Sequence, residues 1–230
     1  MLAVLTPMLG RGERAAAMLD SLHEATSIEH RCVFLCTPDD PATTDVCHAL
    51  AADDPACDVV VLDLVGGACG DYARKMNAGA RLTSEPYLFL GAVDVRYHAR
   101  WWDHIAIQLR PGVGVVGTND LGNPRTRSGR HSTHSLVTRA YIEGQGGTVD
   151  GGPGSMLHEG YCHEFVDDEL IRTAIWRGAW AHARRSCVEH LHPSWGKAPL
   201  DPIYAAQDER MVQGRAVFLS RQHLWGGRIR

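Results

Sequence analysis

Residues 87–94 read Tyr-Leu-Phe-Leu-Gly-Ala-Val-Asp, a short apolar run followed by a glycine and then by a carboxylate. A short apolar run bounded by turn residues is typical of a strand buried on both faces of a sheet. Similar runs occur at 2–6, 32–36 and 58–62, and proline, glycine or aspartate follows each of them closely. The pattern therefore predicts several buried strands of one sheet.

Helical segments are predicted between these strands, at 13–25, 43–52 and 71–82. Alternation of strands and helices favours an α/β fold, with a mostly parallel sheet and helices on both faces. Ligands bind such sheets beyond the carboxyl ends of the strands. We therefore expect Thr6-Pro7 and Asp94 to lie along one edge.

The second half of the chain has a less regular pattern. A fifth strand is predicted at 113–116, and the segment that follows is rich in glycine, arginine and serine. Further elements are expected as a strand at 135–138, a helix at 167–183, a strand at 187–191 and a helical stretch at 202–213. No linker clearly divides the sequence, so residues 1–230 are expected to form a single domain.

Composition excludes some classes of function. The formal net charge of −4 is unlike that of proteins that coat nucleic acid, which are usually basic. The 7 cysteines show no Cys-x-x-Cys spacing and are predicted to be free, buried thiols in a reducing compartment. The first apolar run is too short for a signal peptide or a membrane span, so a cytoplasmic location is expected.

Two groups of carboxylates could carry chemistry. Asp94 follows a buried strand, where it could hold a hard cation such as Mg²⁺ or Mn²⁺, although a turn or capping role is the alternative. The run 158–169 is dense in acid and base groups and ends on a predicted helix start. Asp167 or Asp168 could deprotonate a hydroxyl there, or the run could simply cap the helix. Its histidines lack the His-Glu-x-x-His spacing of zinc proteases.

Histidine and arginine side chains supply further candidates. His190 and His192 point to the same side of a predicted strand, so one of them could complete a metal site, while a structural role stays open. The loop that follows residue 124 contains three arginines and two histidines, which could clamp a diphosphate or an anionic acceptor. An ordinary surface loop is the alternative. The candidates in this loop are Arg125, Arg127, Arg130 and His134.

In this order, the segments resemble the family 2-like glycosyltransferases of the GT-A fold, specifically the small versions carried by bacteriophages. The resemblance implies a GT-A (Rossmann-like) domain, with 1–116 as its nucleotide-binding half and 117–230 as its acceptor and catalytic half with the C-terminal tail. The matching segments are Leu5-Thr6-Pro7 with Arg11, Arg74-Lys75-x-Asn77-x-Gly79-Ala-Arg81, Phe89-Leu-Gly-Ala-Val-Asp94, Gly117-Thr-Asn-Asp120, His134-Ser-Leu-Val137, Tyr161-x-His163 through Asp167-x-Glu169-Leu170, and His190-x-His192-Pro193.

The resemblance implies a role for each matching residue. Asp94 ends the family's metal-binding Asp-x-Asp motif, although Gly91 and Val93 stand where acids are common. His192 or His190 would be the second ligand of Mn²⁺ or Mg²⁺. Asp167 matches the catalytic acid of the family's Glu-Asp motif, although Val166 replaces the preceding Glu, and Asp168 is the fallback. Nucleotide-sugar binding would fall to Thr6, Pro7, Arg11, Asp39, Arg74, Asn77 and Asp94.

The implied reaction is a metal-dependent, inverting transfer of a sugar from a nucleoside-diphosphate sugar to an acceptor hydroxyl. Uridine diphosphate is the nucleotide usual in the family, and the bacteriophage resemblance implies a modified DNA base or a virion protein as acceptor, in the host cytoplasm. Two alternatives remain open at this stage. One is a nucleotide-binding module without catalysis, and the other is a metal-dependent hydrolase using Asp94, His190 and His192.

Overall fold

One sheet of eight strands organises the chain, which a computed structural model describes over residues 1–226. Residues 227–230 of the predicted domain lie outside the described residues. The strands lie in the order β3-β2-β1-β4-β7-β6-β8-β5. Their bounds are β1 Leu2–Pro7, β2 His30–Cys36, β3 Cys57–Val61, β4 Tyr87–Leu90, β5 Val95–Tyr97, β6 Val115–Asn119, β7 Ser135–Thr138 and β8 Trp180–His190.

The sheet is mostly parallel, as the sequence predicts. Strand β1 pairs in parallel with β2 and β4, β2 with β3, and β6 with β8. Strand β7 is antiparallel to β4 and to β6, and β5 is antiparallel to β8. All strands except β5 and β7 therefore run in the same direction.

Helices cover both faces of the sheet, which confirms the predicted α/β class. Along β1, Leu2 and Val4 pack into the apolar cluster on one face, whereas Ala3 and Leu5 pack into the cluster on the other. This alternation is why a strand buried on both faces is apolar at every position. The helices are α1 Ala15–Ala25, α2 Pro41–Asp53, α3 Asp71–Leu82, α4 Trp101–Ala106, α5 Pro124–Arg127, α6 Arg139–Gln145, α7 Val166–Trp176, α8 Pro202–Ala205 and α9 Gln207–Ser220.

The second half departs from the sequence prediction in one long element. The helix expected over 167–183 ends at Trp176, and strand β8 already begins at Trp180. Gly178 separates the two with a φ of +69°, a left-handed conformation that commonly ends helices at glycine. The apolar positions beyond Gly178 therefore belong to a strand paired with β6.

The prediction that every cysteine is a free thiol is wrong for two of them. Cys69 and Cys162 form a disulfide across 93 positions of the chain, with their Cα atoms 4.0 Å apart. It joins the turn before α3 to the loop before α7. The free cysteines in the described part of the chain are Cys32, Cys36, Cys47, Cys57 and Cys187.

The carboxyl ends of β1 and β4 meet the carboxyl end of β8. The backbone N–H of Leu191, just after β8, donates to the carbonyl oxygen of Asp94 at 2.8 Å. This contact brings the residues that follow β4 and β8 to one edge of the sheet. Within residues 1–226, no helix has both the length and the apolar character needed to cross a membrane.

Candidate active site

A cleft of ≈ 210 Å³ opens at this edge of the sheet. It is lined by residues from distant parts of the chain, including the turn after β1, the segment after β4, the loop before α7 and the end of β8. Seven of the residues singled out in the sequence lie on its wall: Pro7, Arg11, Asp94, His134, Asp167, His190 and His192. The structure thus brings part of the predicted donor set to the same cleft as the predicted metal ligands and the predicted base Asp167.

Asp94 is buried in the cleft and is held by cationic and hydroxyl groups. Its Oδ2 accepts hydrogen bonds of 2.6 Å from Arg11 Nη1 and from the hydroxyl of Tyr204, and it lies 3.7 Å from His190 Nε2. Burial alone would raise the pKa of this carboxyl, but His190, Tyr204 and Arg11 outweigh it and hold the pKa well below its usual value. Asp94 is therefore an anion throughout the physiological pH range.

Gly91, where the family commonly has an acid, lies close against β1. A Cβ atom built at Gly91 would lie 3.0 Å from Val4 Cγ1 and 3.2 Å from the carbonyl oxygen of Leu5. A side chain at this position would press against β1. Asp94 is thus left as the carboxylate that the motif contributes to the cleft.

The C-terminal segment covers Asp94, which the sequence did not predict. Asp201 accepts two hydrogen bonds of 2.9 Å from Arg11, and the guanidinium of Arg11 lies 3.8 Å from the ring centroid of Tyr204. Asp201 also caps α8 by accepting from the backbone N–H of Tyr204 at 2.9 Å. The Asp201-Pro202 pair is a helix-start signal, but its long-range contact with Arg11 has no local signature.

Three imidazole rings lie beside Asp94. The ring centroids of His134 and His190 are 5.3 Å apart, and those of His190 and His192 are 5.0 Å apart. His134 Nδ1 donates to the carbonyl oxygen of Leu90 at 3.0 Å, because a carbonyl can only accept. Burial, followed by His190, lowers the pKa of His134 to about 4, so its ring is neutral at pH 7. Its Nε2 then carries a lone pair and has no partner among residues 1–226.

His192 has the opposite arrangement. Its Nδ1 accepts a hydrogen bond of 3.1 Å from the backbone N–H of Ser194. The neutral ring must then carry its proton on Nε2, which leaves no lone pair on that nitrogen. His192 packs against the ring of Tyr204 at 4.5 Å.

Asp167 and Asp168 begin α7 on the side of the cleft that belongs to the second half of the chain. Asp167 Oδ1 accepts from the backbone N–H of Asp168 at 2.9 Å, and Arg125 donates to Asp168 Oδ1. Burial raises the pKa of Asp167 to about 6; the nearby Asp168 acts in the same direction, whereas His131 and Arg125 oppose it. A carboxyl with this pKa is largely ionised at pH 7 and can accept a proton.

His131, Asp167 and Asp168 form a close cluster, with one ligand atom from each within 4.8 Å of the others. Sequence reasoning included His131 in the arginine-rich loop without giving it a role. Glu164 was also missed. It lines the cleft, and burial, followed by the charge of Asp167, raises its pKa to about 7.

A buried lysine, Lys75, lies on the cleft wall, and the sequence analysis gave it no role of its own. Lys75 Nζ donates to the carbonyl oxygen of Met8 at 2.7 Å and to Asp71 Oδ2 at 3.1 Å. Asp71 Oδ2 also accepts from the backbone N–H of Gly67 at 3.0 Å. This pair ties the first turn of α3 to the loop after β1, so it fixes the wall of the cleft.

Some predicted residues are not brought to the cleft wall. Thr6 is fully buried within β1, and Asn77 uses both ends of its amide to hold residues 156–159. Arg74 donates to the carbonyl oxygen of Cys69 at 3.2 Å, and Asp39 accepts from the backbone N–H of Gly66 at the rim. For these residues a direct contact with a nucleotide stays a prediction. Arg127 and Arg130 are exposed residues of the segment around α5.

Comparison with known proteins finds similarity in structure and not in sequence. No protein-family model matches the chain. No curated protein matches it significantly either.

Several solved structures superpose over almost the whole chain. A mannosyltransferase from Pyrobaculum calidifontis in complex with GDP-Man and Mn²⁺ has a TM-score of 0.65 at 13% identity, covering 99% of this chain and 76% of that one. Glucosyl-3-phosphoglycerate synthase from Mycobacterium tuberculosis, with Mn²⁺, UDP and phosphoglyceric acid, has a TM-score of 0.60 at 14% identity, covering 100% and 80%. S. aureus TarS in complex with UDP-GlcNAc has a TM-score of 0.61 at 12% identity, covering 96% and 72%.

The fold is the GT-A fold. The predicted α/β architecture with a mostly parallel sheet is confirmed by these matches and by the order of the strands. At 12–14% identity the likeness is one of fold, and the chemistry of this chain must be argued from its own cleft.

Proposed function

We propose that this protein is a metal-dependent glycosyltransferase that moves a sugar from a nucleoside-diphosphate sugar to an acceptor hydroxyl. The observation that carries the proposal is the composition of one cleft. Asp94 with its histidines lines one part of it, and Asp167, a carboxyl with a pKa near neutrality, lines another. A glycosyltransferase needs both a place for a diphosphate and a base for the acceptor hydroxyl.

The donor is assigned to the half formed by residues 1–116. Pro7 and Arg11 follow β1 and lie on the cleft wall, and Asp39 lies at the rim beside Gly66. The guanidinium of Arg11 can hold phosphate oxygens in the fork geometry that suits them, once it is released from Asp94 or Asp201. UDP is the proposed nucleotide, on the strength of the sequence resemblance and of neighbours solved with UDP or UDP-GlcNAc.

A divalent ion, Mn²⁺ or Mg²⁺, fits the donor atoms around Asp94. His190 is the favoured second ligand, because its Nε2 already lies 3.7 Å from Asp94 Oδ2. His192 is disfavoured, since the hydrogen bond from Ser194 leaves its Nε2 protonated. The bare Nε2 of His134 is a further nitrogen available on the same wall. When bound, the ion supplies positive charge that stabilises the leaving diphosphate.

Asp167 is the proposed base, with Asp168 as the alternative. Asp167 accepts the proton of the acceptor hydroxyl while the acceptor oxygen bonds to the anomeric carbon of the sugar. The bond from that carbon to the phosphate oxygen breaks, and the nucleoside diphosphate leaves. A single displacement of this kind inverts the anomeric configuration. Positioned bases of this type contribute about 10²- to 10⁴-fold to the rate.

We assign the acceptor to the half formed by residues 117–230, of which the structure describes 117–226. The exposed Arg127 and Arg130 favour an anionic acceptor such as a modified DNA base, and a hydroxyl of a virion protein is the second candidate. The bacteriophage origin and the cytoplasmic location rest on the sequence alone. Neither the non-catalytic module nor the hydrolase is favoured by the structural neighbours reported above.

The test is the variant Asp167→Asn. We expect it to keep the affinity for the nucleoside diphosphate and to lose transfer by about 10²-fold or more, because the amide cannot accept the proton. Nucleoside-diphosphate release from a panel of nucleotide-sugars, with candidate acceptors, gives the rate, and calorimetry gives the affinity. Asp58→Asn is the control, since the half-exposed side chain of Asp58 lies in β3 and pairs with Arg31, away from the cleft. Near-normal transfer by Asp167→Asn would remove Asp167 from the role of base.

A further inference from the structure

His131 lies between the two carboxylates that begin α7. It precedes β7 in the chain, and its side chain is 6% exposed. Its Nε2 is 3.4 Å from Asp167 Oδ2, and its Nδ1 is 3.5 Å from Asp168 Oδ1. Each nitrogen of one buried ring therefore faces a different carboxylate.

Hydrogen bonds from other groups already occupy some of the carboxylate oxygens that this ring faces. Asp168 Oδ1 already accepts from Arg125, and Asp167 Oδ1 accepts from the backbone N–H of Asp168. Asp167 Oδ2 is the oxygen that remains to accept the proton of a substrate. The group beside it that can carry a positive charge is His131 Nε2. Since the ring nitrogen and this oxygen are in contact, the position of the ring constrains the orientation of the carboxylate.

The number of protons on the ring decides how many of the two carboxylates it can serve. A neutral imidazole has one N–H and can donate to only one of the two carboxylates. The doubly protonated ring can donate to both, and it places a positive charge against each ionised oxygen. His131 Nδ1 is buried without a hydrogen-bond partner among residues 1–226, so the carboxylate of Asp168 at 3.5 Å is the polar group that it faces.

We infer that His131 is a positioning residue of the base: it orients the Asp167 carboxylate and stabilises its ionised form. This inference rests on the proposed function, in which Asp167 accepts the acceptor proton. Without the ring, Asp167 would face the charge of Asp168 with less compensation, and its free oxygen would lose a fixed direction.

A divalent ion is a poorer occupant of this cluster than the imidazole. The guanidinium of Arg125 already neutralises Asp168 and would repel a second cation close by. The cluster has a balanced charge when both carboxylates are ionised and both Arg125 and His131 are protonated. The two carboxylates therefore have their charges compensated by the guanidinium and the imidazole, without a metal ion.

Other titratable groups around Asp167 must be included in any pH experiment. Arg125 approaches from α5, Asp168 from α7 itself, Glu164 from the loop before α7, and Tyr72 from α3. Arg125 and His131 favour the ionised form of Asp167, whereas Asp168 opposes it. Removing His131 and removing Asp168 should therefore shift the titration of Asp167 in opposite directions.

Carbon-13 NMR of protein labelled at the aspartate carboxyl carbons tests this without any substrate. In His131→Gln, which keeps one amide donor and loses the charge, the Asp167 titration should move to higher pH. In Asp168→Asn it should move to lower pH. His182→Gln is the matched control, because His182 lies beside Gly129 of the same loop and should leave the titration unchanged. An Asp167 titration in His131→Gln equal to that of the wild type would overturn the inference.

Kinetics supply a second readout that a merely structural role would not move. In His131→Gln, kcat should fall about 10-fold or more, while KM for the donor stays the same and the acid limb of the pH profile moves to higher pH. A fall in kcat without movement of the acid limb would contradict the inference. If the wild type releases no nucleoside diphosphate from any donor, the proposed function fails, and the NMR titration still decides whether His131 stabilises the ionised form of Asp167.

Discussion

The substitution Tyr204→Phe should make the protein less stable and at the same time make it bind Mn²⁺ more tightly. The hydroxyl of Tyr204 donates to Asp94 Oδ2 at 2.6 Å, and the residue is 8% exposed. Hydrogen bonds to charged groups contribute about 1.5–3 kcal/mol, which is the expected loss in the free energy of unfolding. Phenylalanine keeps the ring on which Arg11 lies. Urea unfolding of the metal-free protein measures this change.

The gain in affinity follows from competition for one oxygen. If the metal takes Asp94 Oδ2, it must displace the hydroxyl, so a protein that lacks this hydroxyl does not have to break the bond. Each 1.4 kcal/mol corresponds to a tenfold change in affinity, and Tyr204→Phe should therefore bind Mn²⁺ about 10-fold more tightly or better, as measured by calorimetry.

Tyr161→Phe is the matched control for this experiment. The hydroxyl of Tyr161 donates to Glu169 Oε2 at 2.6 Å, and the residue is 1% exposed, but this pair is not part of the cleft wall. Its removal should lower stability by a similar amount and leave the Mn²⁺ affinity unchanged. Weaker or unchanged Mn²⁺ binding in Tyr204→Phe would refute the idea that Tyr204 competes with the metal for Asp94.

Three further predictions concern stability and pH. Reducing the disulfide between Cys69 and Cys162, which closes a loop of 93 positions, should lower the free energy of unfolding by about 2–4 kcal/mol in urea titrations, and an unchanged midpoint would count against it. Lys75→Met should cost about 3–5 kcal/mol in the same assay, because it leaves the carboxylate of Asp71 buried without its cation; a loss below 1 kcal/mol would show that Lys75 is dispensable. Burial raises the pKa of Asp167 from 3.8 to about 6, so the folded state favours the neutral carboxyl, and the contribution of this group to stability falls as the pH rises from about 4 to 6. Over the same range kcat/KM should rise, through about pH 6, as the base ionises. A kcat/KM that does not change around pH 6 would exclude Asp167 as the base.

Strands buried on both faces were the most predictable part of the fold. Strands β1, β2 and β4 each present an unbroken apolar run, because alternate residues enter the two apolar clusters. The short strand β5 was missed, since Val95–Tyr97 is too brief for periodicity to register. The start of β8 was taken for helix because the position of Gly178, and not the apolar spacing, decides where α7 ends.

In the candidate site, a residue's place was predictable where it follows from the strand before it. Asp94 and His190 lie at strand ends and meet there, as expected for an α/β sheet. Tyr204 reaches the Asp94 carboxylate from 110 positions away, Asp201 reaches Arg11 from 190 positions away, and no local pattern encodes either contact. The contacts of Asn77 were equally out of reach of the sequence, because its amide holds a segment that is distant in the chain.

The most direct test of the proposed nucleotide-sugar site is the binding of nucleoside diphosphates, each with and without Mn²⁺, measured by thermal shift and calorimetry. A saturating ligand adds RT ln(1 + [L]/Kd) to the stability of the folded state, so binding raises the melting temperature. We expect at least one diphosphate to raise the melting temperature, Mn²⁺ to enlarge the rise, and Asp94→Asn to abolish the enlargement. A melting temperature unaffected by every nucleoside diphosphate, with or without Mn²⁺, would contradict the proposal that this cleft is a nucleotide-sugar site.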